Sequence, residues 1–216
     1  YQNQIKNTPK LAFRRLLSLQ SLKASKEKIF DASFWIIVAS LFQFWSILYL
    51  ILVFISIIFH VSRDYRNWFL PFIAFFAVAT LFLLTSLLFQ FSILDYLNQA
   101  VRVNFEINYF TNNYENGALS IYATVALFFV TSMLMSLSSR PQVLHTSFKK
   151  VVASFFIGVV IFVVSDNKSN DLLIFTVAPL AILATSHIEV PQLKLKQEMV
   201  LFVLIACSFF AFFSQL

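Results

Sequence analysis

Residues 29–60 read IFDASFWIIVASLFQFWSILYLILVFISIIFH, an apolar run of 32 residues with Asp31 near its start and Gln43 near its centre. As one straight helix rising 1.5 Å per residue it would measure about 48 Å, against a hydrocarbon core about 30 Å thick. The run therefore predicts two short helices that turn near Gln43 to Ser46, either crossing twice or forming a re-entrant hairpin. Both forms return the chain to the side it started from.

Outward from this stretch, further apolar runs fall at 69–90, 119–137, 151–165, 172–186 and 199–213. With the first run counted twice, they predict an all-α, polytopic transmembrane helical bundle of about seven membrane segments. Its domain spans 29–216 and carries one long outer loop, 91–117. The segments at 151–165 and 172–186 are short, about 15 residues each, and the polar turn Asp166-Asn167-Lys168-Ser169-Asn170 between them predicts a helical hairpin. Pro179 should kink its segment, and Pro71 falls in the first turn of a helix starting at Phe69, where proline is tolerated.

Charge decides between one crossing and two in the first run. If residues 29–60 return to their starting side and the N-terminal segment is cytoplasmic, 14 of the 16 Lys and Arg lie inside and only Arg102 and Lys168 lie outside. A single crossing would leave 9 of 16 inside. Cytoplasmic loops are enriched in Lys and Arg, so the returning topology is the expected one. Residues 1–28 interleave Leu and Phe with Lys6, Lys10, Arg14, Arg15, Lys23, Lys26 and Lys28, the pattern of a basic segment at the cytoplasmic headgroup surface.

Composition excludes a water-soluble fold. Hydrophobic residues make up 59% of the chain and charged ones 12%, where soluble domains average about 25% charged. In so apolar a chain the net charge of +6 reads as membrane orientation, not as affinity for nucleic acid. With 28 Phe and only 2 Gly, close helix contacts must form on Ser, Ala and Thr. The single cysteine, Cys207, allows no intrachain disulfide and no thiolate metal site.

The search for chemistry yields few residues. No Walker loop, CxxC, HExxH or dinucleotide fingerprint occurs, and the reading assigns no catalytic, cofactor-binding or metal residue. His60, His145 and His187 fall at segment edges and read as interfacial. The candidates for an outer-loop function are Asp95, Arg102 and Glu106; Asp95 and Arg102 are seven apart and share a face if the loop is helical. Gln43 and Pro179 are the candidates for lining a cavity within the membrane. Ionisable residues at mid-depth, which an ion pump needs, are not found in the apolar runs.

Two stretches carry a resemblance. Ile29-Phe30-Asp31-Ala32-Ser33-Phe34 running into Val38-Ala39-Ser40-Leu41-Phe42, with Arg66-Asn67-Trp68 and Leu70-Pro71, is one; Ser165-Asp166-Asn167-Lys168 followed by Asp171-Leu172-Leu173-Ile174-Phe175 and Ala178-Pro179-Leu180-Ala181-Ile182 is the other. The chain resembles a family of uncharacterised polytopic inner-membrane proteins of flavobacteria-like Gram-negative bacteria. That resemblance implies the bacterial inner membrane, implies further segments upstream of the position of Lys10, and carries over no catalytic residue. In style the Phe-rich chain is also similar to mitochondrially encoded respiratory subunits of some protists, which would place it in the mitochondrial inner membrane.

The expected function is that of a non-enzymatic integral membrane subunit scaffolding or anchoring a larger complex. Its expected partners are membrane lipid and other membrane protein subunits, with no nucleic acid and no soluble cofactor. The alternatives are a transferase or flippase for a lipid-linked, polyprenyl-type substrate, and a small-molecule carrier.

Overall fold

A computed structural model of the protein describes residues 25–60, 64–105, 113–139, 141–166, 170–188 and 194–213. Among them the chain is helical, with no named strand. The α-helices are α1 Ser25–Ser40, α2 Leu50–His60, α3 Arg66–Phe89, α4 Ile93–Ala100, α5 Asn113–Ser136, α6 Gln142–Val164, α7 Ile174–Ile188 and α8 Lys194–Phe213. Short 3-10 segments at Phe44–Tyr49, Leu137–Ser139 and Asn170–Leu173 lead into or follow them. Among the described residues three helices are long and apolar enough to cross a membrane: Arg66–Phe89, Asn116–Ser136 and Leu144–Val164. Shorter apolar helices lie at Phe44–Phe59, Ile174–Ile188 and Glu198–Phe210.

The chain divides into two compact units, Tyr1–Phe105 with Phe156–Asn167, and Glu106–Phe155 with Lys168–Leu216, the boundary falling within α6. In the first, the long apolar run is indeed two elements. Helix α1 ends in a tight turn in which Phe42 and Gln43 both donate to the Ala39 carbonyl. Gln43 itself is extended, at φ −128 and ψ 99, and the 3-10 segment starts immediately after it. At the far end the chain comes back on itself: Lys26 Nζ, at the start of α1, lies 3.1 Å from Asp64 Oδ2, past the end of α2. The 16 residues of α1 rise about 24 Å, and the return through the 3-10 segment and α2 rises about 28 Å.

Packing of this hairpin follows its small residues. Ile29, Ala32, Ser33, Ile36, Ile37 and Ser40 make a buried stripe at three- and four-residue spacing on α1. It meets Pro71, Ala74 and Val78, the buried stripe of α3. Ile37, Ala74 and Val78 form the centre, with Phe30, Phe34, Val38, Leu41 and Leu50 packed round it. Ala32 and Ala74 let two backbones approach where a chain with little glycine has no GxxxG to use. Ser33 and Ser40 hide their hydroxyls by donating to the carbonyls of Ile29 and Ile37, at 2.8 and 2.7 Å.

Helix α3 begins at Arg66, three residues earlier than the apolar run implied, so Pro71 stands beyond the first turn and withholds a hydrogen bond from the Asn67 carbonyl. It stops at Gln90, held in the left-handed region at φ 53. The outer loop expected at 91–117 is in part helical: α4 is an eight-residue amphipathic helix capped by the Ser92 hydroxyl on the Asp95 amide. Most of α3 faces outward; Phe69, Phe76, Leu87 and Leu88 are all more than half exposed.

In the second unit α5 and α7 pack side by side. Ala126, Phe129, Val130 and Met133 of α5 and Thr176, Pro179, Leu180, Leu183 and Ser186 of α7 form the buried stripes. Three polar contacts fix the register: Tyr122 with Thr176 at 2.7 Å, Ser132 with His187 Nδ1 at 2.7 Å, and the Ser186 hydroxyl on Met133 Sδ at 3.7 Å. From Tyr122 with Thr176 to Ser132 with His187 both partners advance along the chain, so α5 and α7 run parallel. Helix α6 begins at Gln142, which corrects the expected start at 151 and the expectation of a 15-residue segment. Pro141 sets the start, and Lys149 and Lys150 are absorbed as helical residues.

Candidate functional site

The hairpin break places Gln43 at one end of the first unit, opposite the Lys26–Asp64 pair. Two further pieces of chain meet it there. From the stretch after α6, Ser165 is held by its amide on the Ile161 carbonyl and is almost fully buried. Gln43 Nε2 donates to its hydroxyl at 2.9 Å. From the stretch after α3, Tyr96 of α4 donates its phenol to the Leu41 carbonyl in the turn. Its ring packs 5.5 Å from that of Phe82, which also stacks on Phe91 at 5.7 Å, tying α4 to the end of α3. Beyond α4, Val103 bridges Ser165 and the Arg102 carbonyl accepts from Trp45 Nε1 at 3.4 Å.

These contacts enclose an open cleft of about 250 Å³. Its walls are Phe42, Phe44, Trp45 and Tyr96; its polar groups are Gln43, Gln99, Arg102, Ser165 and Asp166. The cleft thus holds one guanidinium, one carboxylate, two carboxamides and a hydroxyl, between aromatic faces. Arg102 and Asp166 both line it, a guanidinium that can only donate and a carboxylate that can only accept. Gln43 spends one N–H on Ser165 and keeps its carbonyl oxygen. Burial pushes the Tyr96 phenol above its usual pKa, so the ring stays neutral here.

Two of the five residues singled out by sequence, Gln43 and Arg102, are brought together in this cleft. Asp95 is not among its walls. It sits exposed in the first turn of α4, and because that helix ends at Ala100 it shares no helical face with Arg102, against expectation. Glu106 lies outside the described residues. Pro179 is buried in α7 in the second unit, a packing residue and not a cleft residue.

Sequence reading missed Trp45, Tyr96, Gln99, Ser165 and Asp166. Asp166 reads in sequence as part of a polar hairpin tip and Ser165 as the end of the apolar segment before it, and Gln99 carries no signal apart from its place on α4. It also missed the burial of Lys150, which is 1% exposed in α6 although the adjacent Lys149 is exposed. Among the described residues no three His, Cys, Asp or Glu side chains gather closely enough to share a metal ion. His145 and His187 fall in the first and last turns of their helices, and His60 ends α2.

No family model, curated protein or solved structure matches the chain.

Proposed function

We propose that the chain is a non-enzymatic, multi-pass subunit of a larger membrane complex. Its seven segments are the two arms of the hairpin, α3, α5, α6, α7 and α8, with Lys26, Arg66 and most other basic residues on the cytoplasmic face and Arg102 and Lys168 outside. The bacterial inner membrane is the compartment its sequence resemblance implies.

The observation that carries the subunit reading is the outward surface of α3. Only 17% of its most apolar 18-residue window is buried by the rest of the chain. Trp68, Phe69, Phe72 and Phe76 make a bulky ridge along it, and Phe54 stacks on Trp68 and packs at a tilt against Phe72, holding two of those rings in place. Lipid chains cover such a surface without needing ordered rings, whereas a partner helix gains from rings already fixed. Extraction from native membranes in mild detergent, with quantitative mass spectrometry of what co-purifies, tests the reading. Partners in fixed stoichiometry are expected; recovery of the protein with lipid alone would end it.

A second reading is favoured by one specific observation, the meeting of Gln43 and Arg102 in a cleft at the end of the hairpin. In this reading the protein binds the polar head of an amphiphile there, as a transferase or flippase for a lipid-linked substrate must. Loss of amphiphile binding on changing Arg102 to Ala is the expected outcome, and unchanged binding would remove the cleft from consideration.

A further inference from the structure

The chemistry of the cleft narrows what its ligand can be. Arg102 and Asp166 cancel in charge, so the site as a whole attracts neither anion nor cation. What suits both is an uncharged group that donates and accepts at closely spaced positions. Gln99 supplies two donors and an acceptor on an exposed side chain, Gln43 an acceptor and a remaining donor, Arg102 only donors and Asp166 only acceptors. Vicinal hydroxyls are such a group, each donating once and accepting twice.

The walls agree with this. Trp45 is oriented by its bond to the Arg102 carbonyl, and Tyr96 by its bond to the Leu41 carbonyl. Both side chains line the cleft and are already held by these bonds, so apolar ring surface is in place for the C–H side of a ligand ring. A volume of about 250 Å³ is the room of roughly eight waters at ~30 Å³ each. It is smaller than the pockets that enclose drug-sized ligands, which begin at about 300 Å³. One hydroxylated ring fills it and an acyl chain is left outside, next to the apolar flank of α3.

We propose that the cleft between the hairpin break, α4 and Ser165-Asp166 binds a single neutral sugar ring, carried by a glycolipid or free in solution. The proposal rests on the second reading above and sharpens it from amphiphile to glycoside.

The test uses the full chain in nanodiscs of phosphatidylcholine containing a few per cent of a monoglucosyl diacylglycerol or, in parallel, of phosphatidylglycerol. Native mass spectrometry then counts the lipid retained. Selective retention of the glucolipid is expected, falling at least tenfold in affinity with Gln99→Ala and with Asp166→Asn. Both side chains are exposed and neither holds the fold, and an unchanged melting temperature for each variant checks this. Added free methyl glucoside displaces the lipid if the ring alone suffices, and fails to displace it if the membrane anchor supplies much of the affinity; the proposal stands in either case and the source is identified. Retention of phosphatidylglycerol in preference, lost with Arg102→Gln, would overturn the sugar while leaving the amphiphile reading intact. Equal retention of all three lipids, indifferent to the variants, would overturn both.

Discussion

Gln43 Nε2 donates to the Ser165 hydroxyl at 2.9 Å, joining residues 122 positions apart. The bond pins the tip of the hairpin to the chain leaving α6, and it buries the Ser165 hydroxyl with its one side-chain donor. The first prediction follows from it. Gln43→Ala and Ser165→Ala each destabilise by about 1 kcal/mol, the ordinary worth of a partly buried hydrogen bond. Because both changes remove the same bond, the double variant costs less than the two together. Thermal unfolding in detergent measures all three; strict additivity would show that the bond contributes nothing.

At the opposite end of the same unit, the Lys26 hydrogen bond holds the Asp64 carboxyl below its ordinary pKa, helped by the Arg66 amide. The sign follows. A carboxyl lowered in the folded state adds stability above its unfolded value, near 3.9, and loses that contribution as pH falls through the folded value. The melting temperatures of the protein and of Asp64→Asn should therefore differ at neutral pH and converge in acid. The difference should also shrink in 1 M salt, because the pair is exposed and the Debye length there is about 3 Å. A gap that persisted in acid would mean that Asp64 acts through something other than its charge.

The two faces of the helices should respond differently to truncation. Phe129 of α5 is 1% exposed, and Phe129→Ala leaves a cavity worth about 3 kcal/mol. Leu88 of α3 is 79% exposed, and Leu88→Ala changes stability by less than about 0.5 kcal/mol. Chemical unfolding in mixed micelles checks the pair. Similar losses at both sites would mean that the Leu88 face is packed against something in the purified protein, which would itself favour the subunit reading.

Much of the helical order was legible because apolar runs long enough to cross a membrane leave little choice of secondary structure. The break near Gln43 was legible for a physical reason too, since a straight helix over residues 29–60 would overrun a hydrocarbon core of about 30 Å and the charge balance favours a return. Helix α6 was harder. Lys149 and Lys150 look like the end of a loop, yet Pro141 sets the helix start well before them and Lys150 goes inside. Helix α4 hid in an aromatic-rich loop, although Ser92 three residues ahead of Asp95 is a capping signal that could have revealed it. The cleft itself could not be read at all. Its walls come from residues 42–45, 96–102 and 165–166, and nothing in a single sequence says that these stretches meet.

The claim on which the rest depends is that residues 25–60 return to the cytoplasmic side and leave the cleft facing out. Single cysteines at Gln99→Cys and Asp64→Cys, each in a Cys207→Ala background, test it directly in intact bacterial cells with a membrane-impermeant maleimide. The account predicts that Gln99→Cys is labelled from outside and Asp64→Cys only after the membrane is opened. Labelling of both from the same side, or the reverse order, would contradict it.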